Sequence, residues 1–287
     1  MIFMKLKSIA CRILLTALIL SGLFLTCQPR QHPSPNRLRI KGSDTMLILL
    51  RRLAQVYMSE HPGTAVYVEG GGTGAGVKAL LDGDADIAAA SRPLLPQELS
   101  RMAERYQSVG YSLLVAKDAL SIYLHPANPV QDLALKQLKQ IFTGEYSNWK
   151  QLNGKDQKIS VYIRPPNSGT YFYFREHILQ GEDYLDSATT LTTTRAIVKA
   201  VLKDTAGIGY GGTAYGSKVV HSKVNGISPS ALNVRYDLYP ISRYLYFYTR
   251  SKPEGLLQDF FDWVLSTEGQ RIVQQIGYIP LRPLENQ

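Results

Sequence analysis

Cysteine is scarce in this chain of 287 residues, and the position of each cysteine restricts the class of protein. Cys11 and Cys27 both lie within the first thirty residues. The body of the chain therefore has no thiol to oxidise and no disulfide to form. With 45% hydrophobic residues, a chain of this length can bury a core that needs no covalent staple. A disulfide-rich scaffold is excluded.

Several motifs of catalysis and cofactor binding are also missing. The glycine-rich segment 70–76 satisfies neither G-x-G-x-x-G nor the G-K-[ST] ending of a P-loop, and no G-x-S-x-G elbow occurs. The five histidines show no metal-ligand spacing. Asp186-Ser187-Ala188 is similar to an alkaline phosphatase nucleophile but has no metal ligands near it. We expect no cofactor, no metal and no catalytic residue.

Long apolar runs are limited to the N-terminus. Lys5, Lys7 and Arg12 precede an apolar run over residues 13–26, which is too short for the roughly 20 residues of a membrane-spanning helix. A basic flank before a short apolar core is typical of an export signal, so residues 1–26 are predicted to be a signal peptide. The alternative is a retained signal anchor.

Cys27 follows this apolar run directly. The sequence Leu23-Phe24-Leu25-Thr26-Cys27 resembles a bacterial lipobox, although Thr26 stands where Gly, Ala or Ser is usual. We expect lipidation at Cys27, with residues 27–36 as a proline-containing tether. The protein would then be anchored through its lipid on the periplasmic or cell-surface side of a membrane. A plain cleaved signal is the alternative.

The net charge of +9 falls to +6 without residues 1–26, which carry three basic and no acidic residues. An excess of positive charge suits an anionic ligand, a nucleic acid or an anionic membrane surface. The basic residues are scattered, and no nucleic-acid-binding signature is present. We therefore expect no nucleic-acid partner.

From residue 37 onward, short apolar runs alternate with amphipathic stretches, which predicts α/β architecture with mostly parallel strands. The patterns predict strands over 37–41, 65–68, 86–90, 113–116, 119–124 and 244–249, and helices over 45–59, 77–81, 96–106, 171–179 and 256–276. Ser43 or Asp44 is expected to cap the first helix. The chain length suits two lobes, predicted over residues 37–119 with 243–287 and over residues 120–242.

Three turns place glycines and small hydroxyl residues where a helix should begin, at residues 42–45, 72–74 and 167–170. Helix N-termini present free N–H groups and partial positive charge, and Ser or Thr adds a hydroxyl donor. Three such turns in one cleft, with Arg164 nearby, could bind a tetrahedral anion. The alternative is that these are ordinary capping residues.

Over residues 38–285 the chain resembles the phosphate-binding component of the high-affinity phosphate ABC importer, the PstS family. The resemblance is carried by six segments in the same order, at residues 40–46, 70–94, 141–154, 164–170, 207–216 and 239–249. It implies a two-lobed type II periplasmic-binding-protein fold with a hinge between the lobes. It also implies that the chain is not an enzyme.

The same resemblance implies a set of phosphate contacts. They are Thr45, the backbone of Met46, Thr73, Ser91, Arg92, Arg164, Ser168, Gly169 and Thr170. Well-known members carry an aspartate after the third strand, where this chain has Ser91 followed by Arg92. That carboxylate accepts a proton from phosphate and disfavours sulfate, and Asp44 could take its role here. A second departure is Tyr244, which follows Arg243 where proline is expected.

The resemblance implies an exported, monomeric binding protein that delivers inorganic phosphate to the permease subunits of an ABC importer. A phosphomonoesterase on the same fold is one alternative. A binding protein for sulfate or another oxyanion is a second, and a surface or sensory protein that serves no importer is a third.

Overall fold

A computed structural model describes residues 36–284 of the chain. The predicted signal peptide over residues 1–26, the lipidation site Cys27 and nearly all of the predicted tether lie outside these residues. Asn36, which was assigned to the tether, is the first residue of the first strand. None of the helices in the described part of the chain combines the length and the apolar composition needed to span a membrane.

The first part of the fold alternates strands and helices as the periodicity predicts. Its elements are β1 (Asn36–Gly42), α1 (Leu47–Glu60), β2 (Thr64–Glu69), α2 (Thr73–Asp82), β3 (Ile87–Ala90) and α3 (Pro96–Tyr106). β1 lies between β2 and β3 and pairs with both in parallel. The ends of these strands therefore deliver the chain to the helix starts on one edge of the sheet.

The remaining elements vary more in length, from two-residue strands to a strand of 14 residues. They are β4 (Tyr111–Leu124), β5 (Asp132–Leu133), α4 (Leu135–Thr143), a 3₁₀ turn (Trp149–Leu152), β6 (Ser160–Ile163), α5 (Gly169–His177), β7 (Thr189–Thr190), α6 (Thr194–Val201), β8 (Gly207–Gly212), β9 (Val220–His221), β10 (Lys223–Val224), α7 (Ala231–Arg235), β11 (Ser242–Thr249), α8 (Leu256–Leu265) and α9 (Thr267–Ile276).

Within residues 36–284 the main sheet runs in the order β2-β1-β3-β11-β4-β8-β6-β7, with β9 also paired to β4. The pairs of β1 with β2 and β3, and of β6 with β7 and β8, are parallel. β11 and β4 are antiparallel to each other and to their outer neighbours. The predicted α/β class is confirmed, and antiparallel strands occupy the middle of the sheet.

In the described part of the chain, two large hydrophobic cores lie along this sheet, with two smaller clusters beside them. The first core draws on residues between Leu38 and Ala116 and between Leu245 and Tyr278. The second core draws on residues between Ala119 and Ile241, together with Ile279. The chain passes from the first core to the second within β4, and it returns at the start of β11. Two long antiparallel strands are thus the shared boundary of the two cores.

β4 differs from the sequence prediction because it is one strand of 14 residues instead of two. Lys117 and Asp118 separated the two predicted strands, yet both side chains are buried inside a continuous strand. β11 pairs with it from Ser242 to Thr249, with a register shift between Leu245 and Tyr246. Such an irregularity bends the pair locally.

The helix predicted over residues 77–81 begins earlier, at Thr73, and two further predictions about helix ends are wrong. α1 has no side-chain cap, since its first residue follows Met46 and neither Ser43 nor Asp44 caps it. The predicted helix over residues 256–276 is two helices that meet at Ser266. Ser266 has extended backbone dihedrals, and its hydroxyl accepts a hydrogen bond from the Gly269 amide at 3.3 Å. A capping serine therefore ends one helix and starts the next.

α2 packs on β1 through a glycine. A Cβ atom on Gly76 would lie 2.4 Å from the Lys41 carbonyl oxygen and 2.6 Å from the Gly42 Cα. Because both neighbours are backbone atoms, Gly76→Ala must push the helix off the strand, and we expect a loss of about 2 kcal/mol in unfolding free energy. Urea denaturation measures this loss. Lys78→Ala on the exposed face of α2 is the control, with a change within about 0.5 kcal/mol. Equal stabilities of the two variants would contradict this packing.

His221 on β9 contacts the Ser121 hydroxyl through Nδ1 at 2.8 Å and the Gly216 carbonyl through Nε2 at 3.2 Å. Burial lowers the pKa of His221, because the charged imidazolium loses hydration in the fold. Its stabilising contribution is thus complete above the unfolded pKa of about 6.5 and declines as the pH falls below it.

We therefore expect the wild type to lose more stability than His221→Gln between pH 7 and pH 5. Chemical denaturation at several pH values measures the difference. Parallel stability curves for the two proteins would show that His221 is not involved.

Candidate functional site

The turn before α1 and the start of α5 meet through their hydroxyl groups. Thr45 Oγ1 lies 2.9 Å from Thr170 Oγ1, although 125 residues separate them. Both residues are buried, at 1% exposure each. Thr45 packs with elements of the first core and Thr170 belongs to a helix of the second. Two of the three predicted turns therefore share one buried contact between the cores.

The third turn joins the same contact. Thr73 is the first residue of α2, and its Oγ1 accepts a hydrogen bond from the Ser91 amide at 3.2 Å. A Cβ atom on Gly169 would lie 2.3 Å from Thr73 Oγ1 and 2.7 Å from Ser91 Oγ. Glycine at residue 169 thus lets the α5 backbone approach both hydroxyls. The structure brings Thr73, Ser91 and Gly169 together with Thr45 and Thr170.

Ser168 caps α5 and has its lone pairs directed to the backbone. Its Oγ accepts hydrogen bonds from the amides of Thr170 at 3.2 Å and Tyr171 at 3.4 Å. Because a hydroxyl that accepts from amides still has its hydrogen, Ser168 can donate into the space beside the helix start. Thr73 is in the same position, since its oxygen accepts from Ser91. The hydroxyls are arranged as donors, and donors are what an oxyanion requires.

Arg164 supplies the positive charge and is 1% exposed. Its Nη2 donates to Asp44 Oδ2 at 2.8 Å and to the Thr192 carbonyl at 2.9 Å, and its Nη1 donates to Thr194 Oγ1 at 3.0 Å. Three of the five guanidinium donors are thus engaged within residues 36–284. Nε is buried without a hydrogen-bond partner there. Arg164 therefore has donors to spare for a further acceptor.

Asp44 connects this arginine to the glycine-rich turn. Its Oδ1 accepts from the Gly71 amide at 3.3 Å, and its backbone carbonyl accepts from the Tyr215 hydroxyl at 2.7 Å. Burial lowers the pKa of Arg164, and the Asp44 carboxylate opposes that effect by favouring the charged guanidinium. The pair of opposite charges at 2.8 Å crosses from one core to the other.

Two predicted site residues have other partners. Both terminal nitrogens of Arg92 are bound by Glu98, at 2.7 and 2.8 Å, and its guanidinium lies over the Phe172 ring. Only its Nε is without a partner among the described residues. The Met46 amide donates to the Ser43 carbonyl at 3.0 Å, so it is engaged within its own turn.

Asn167 adds direct contacts between the two cores. Its carbonyl accepts from the Gly74 amide at 3.0 Å, and its side-chain amide donates to the Gly71 carbonyl at 2.9 Å. A Cβ atom on Gly72 would lie 2.7 Å from the same Asn167 carbonyl oxygen, which explains the glycine there. The loop over residues 164–170 therefore contacts the backbone of the glycine-rich turn directly.

Sequence reasoning missed Asp118 and Arg243 as site residues. Arg243 donates to Asp118 Oδ2 through Nη2 at 2.9 Å and Nε at 3.2 Å, and both side chains are buried. Burial raises the pKa of Asp118, against the opposing effect of the arginine. The sequence did contain an indication of Asp118, because two adjacent charged residues inside an apolar run are unusual unless each forms an ion pair.

Together these groups form a buried, polar junction between the two cores. It offers hydroxyl hydrogens and a partly free guanidinium at the start of two helices, α2 and α5, whose dipoles favour negative charge. In the described part of the chain, no cluster of three or more His, Cys, Asp or Glu side chains could hold a metal ion. The chemistry that this geometry supports is recognition of a small oxyanion.

The fold and the junction define a periplasmic-binding-protein-like solute-binding domain. A family profile described as the PBP superfamily domain matches residues 29–268. The phosphate-binding protein PstS of Bacillus subtilis is 33% identical over 263 residues, which cover 89% of this chain and 84% of that protein. The chain belongs to the PBP superfamily and, within it, to the PstS family of phosphate-binding proteins. These relatives are binding proteins and not enzymes.

Other similar proteins support this assignment. The phosphate-binding protein PstS of Pseudomonas aeruginosa strain PAO1 is 29% identical, over 84% of this chain and 81% of that protein. A crystal structure from Clostridium perfringens, described as a phosphate ABC transporter substrate-binding protein with bound phosphate, has a TM-score of 0.81 at 28% identity. That alignment covers 86% of this chain and all of the other.

The buried pair of Arg164 and Asp44 can be tested by its contribution to stability. Asp44→Asn leaves the Arg164 charge buried without a carboxylate, so we expect the unfolding free energy to fall by about 3–5 kcal/mol. Asp156→Asn is the matched control, because the Asp156 pair with Lys150 is exposed and is worth less than about 1 kcal/mol. Urea denaturation compares the two variants, and similar losses would contradict the buried pairing.

Proposed function

We propose that this protein binds inorganic phosphate at the junction between its two cores and delivers it to the permease subunits of an ABC importer. The observation that carries the proposal is the convergence of three helix-start turns and Arg164 at one buried place. Each turn offers a hydroxyl whose oxygen already accepts a hydrogen bond or lies beside another hydroxyl. The hydroxyl hydrogens that are not shared with a neighbouring hydroxyl are thus available to a tetrahedral oxyanion.

The proposed ligand contacts are those expected from the sequence: Thr45, Thr73, Ser91, Ser168, Gly169, Thr170 and Arg164, with weaker support for Met46 and Arg92. Support for phosphate comes from the relatives, which are named phosphate-binding proteins, and from the Clostridium perfringens protein with bound phosphate. Nothing in these comparisons favours the phosphomonoesterase alternative.

The two cores would act as two lobes, residues 37–119 with 243–287 and residues 120–242, and β4 and β11 would be the hinge. Opening at these strands would separate Thr45 from Thr170 and Asn167 from the glycine-rich turn. The anion would bind one lobe first, and closure would add the donors of the other lobe. A closed, occupied protein differs in shape from an open one, and a permease can read that difference.

Asp44 is our candidate for the group that accepts a proton from phosphate. Its carboxylate is buried next to Arg164, and no aspartate follows β3, where Ser91 stands. A carboxylate there repels an anion that brings no proton, so sulfate should bind less well than phosphate.

We also propose that the protein is exported, that its signal peptide is removed before Cys27, and that lipid on this cysteine anchors it outside the membrane as a monomer. Export and lipidation rest on the N-terminal sequence, and the monomeric state rests on the resemblance to the PstS family. Mass spectrometry of the mature N-terminus would test it, and an unmodified Cys27 would exclude lipidation.

Calorimetric titration with phosphate, with sulfate as competitor, tests the ligand. The wild-type protein should bind phosphate at micromolar or tighter Kd, because each charge-assisted hydrogen bond contributes about 1.5–3 kcal/mol. Arg164→Ala should weaken binding by at least about 2 kcal/mol through loss of the guanidinium.

Arg105→Ala is the control, because Arg105 is half exposed on α3 and lies outside the junction. Circular dichroism would establish that each variant is folded. Preference for sulfate would overturn the ligand, and unchanged phosphate affinity in Arg164→Ala would remove this arginine from the site.

A further inference from the structure

Arg243 touches three segments that meet at the junction. Besides its two bonds to Asp118, its Nη1 donates to Thr170 Oγ1 at 3.1 Å and to the Ser91 carbonyl at 3.3 Å. Its guanidinium also lies over the Tyr173 ring, at 5.6 Å from the centroid. Arg243 is 4% exposed and Asp118 is fully buried. One side chain from β11 thus links β4, the turn after β3 and the start of α5.

The direction of the hydrogen bond to Thr170 is fixed by chemistry. A guanidinium can only donate, so Thr170 Oγ1 must accept from Arg243. This takes one lone pair of the threonine and leaves its hydrogen for another acceptor. Thr45 Oγ1 at 2.9 Å is within reach of that hydrogen, as an oxyanion bound beside the Thr170 hydroxyl would be. Arg243 therefore biases Thr170 toward donation.

Asp118 holds the guanidinium in the orientation that allows this. Oδ2 receives both Nε and Nη2, so the remaining Nη1 is aimed at Thr170 and Ser91. Asp118 Oδ1 is buried and has no hydrogen-bond partner among the described residues. If the Asp118–Arg243 pair served stability alone, the contacts of Nη1 would not be needed. An apolar pair of similar volume often stabilises a core as well as a buried ion pair does.

We propose that Arg243, held by Asp118, is a positioning residue that orients the Thr170 hydroxyl for donation to the bound oxyanion. It acts through Thr170, while its bond to the Ser91 carbonyl helps to fix the guanidinium, and it does not itself contact the ligand. The inference rests on the proposed oxyanion-binding function and adds two residues to it. It also predicts that the effect of Arg243 on binding depends on the hydroxyl of Thr170.

A double-mutant cycle measures this dependence. Arg243→Lys keeps a charge for Asp118 but cannot bond Asp118, Thr170 and Ser91 together, and Thr170→Val removes the hydroxyl with little change in shape. Calorimetry with inorganic phosphate should give a Kd about tenfold or more higher for Arg243→Lys than for wild type. In the Thr170→Val background the same substitution should change Kd by less than about threefold. Equal factors in the two backgrounds would overturn the proposal.

A second variant tests the proposal in case Arg243→Lys does not fold. Asp118→Asn with Arg243→Gln removes both charges together, so neither is left buried and unpaired. This double variant should fold and bind phosphate at least about tenfold more weakly. Arg39→Gln is the control, because Arg39 pairs with Asp86 away from the junction and should leave phosphate affinity unchanged.

The outcomes separate the two proposals. Wild-type binding of phosphate with unaltered affinity in the neutral double variant would overturn the role of Arg243 and leave the proposed function in place. If the wild type binds another oxyanion instead, the cycle is run with that anion and the same factors apply. No binding of any oxyanion by the wild type would overturn both.

Discussion

The junction of this protein depends on burying guanidinium groups that must remain charged. Arg164 and Arg243 are almost fully buried, and each is paired with one buried carboxylate, Asp44 and Asp118. Isolated charges at these places would be far too costly, whereas the pairs are tolerated because each charge has an opposite partner and further hydrogen bonds. In both pairs the partners are distant in the chain. The Asp44–Arg164 pair joins the two cores, whereas Asp118 and Arg243 are opposite each other on the adjacent strands β4 and β11.

The pairs also determine what the surrounding hydroxyls can do. Guanidinium groups and backbone N–H groups are donors only, so the serine and threonine oxygens beside them are used as acceptors and their hydrogens can be donated to another acceptor. A set of hydroxyls arranged in this way is suited to a small oxyanion and poorly suited to a cation. The carboxylate of Asp44 in the same place adds a repulsive element, by which an anion with a proton can be distinguished from one without.

Much of the architecture was accessible from the pattern of residues alone. Apolar periodicity predicted α1 and α3 within two residues at each end, because a helix that packs on a core must repeat its apolar face. The prediction failed where the local sequence pattern indicates one structure and tertiary contacts stabilise another. Lys117 and Asp118 look like a break between strands, yet distant partners, Asp237 for Lys117 and Arg243 for Asp118, let one strand continue through them. Asp44 looks like a helix cap, yet Arg164 takes its carboxylate.

By itself, the sequence determined the α/β class, the three hydroxyl-rich helix starts and the presence of Arg164, since these depend on residue type and local spacing. Only the tertiary structure decided which of these groups meet. Thr45 and Thr170, Asp44 and Arg164, and Asp118 and Arg243 are each separated by 120 residues or more. No local pattern encodes such pairs. They follow from the order of strands in the sheet, and burial then requires each charge to find its partner.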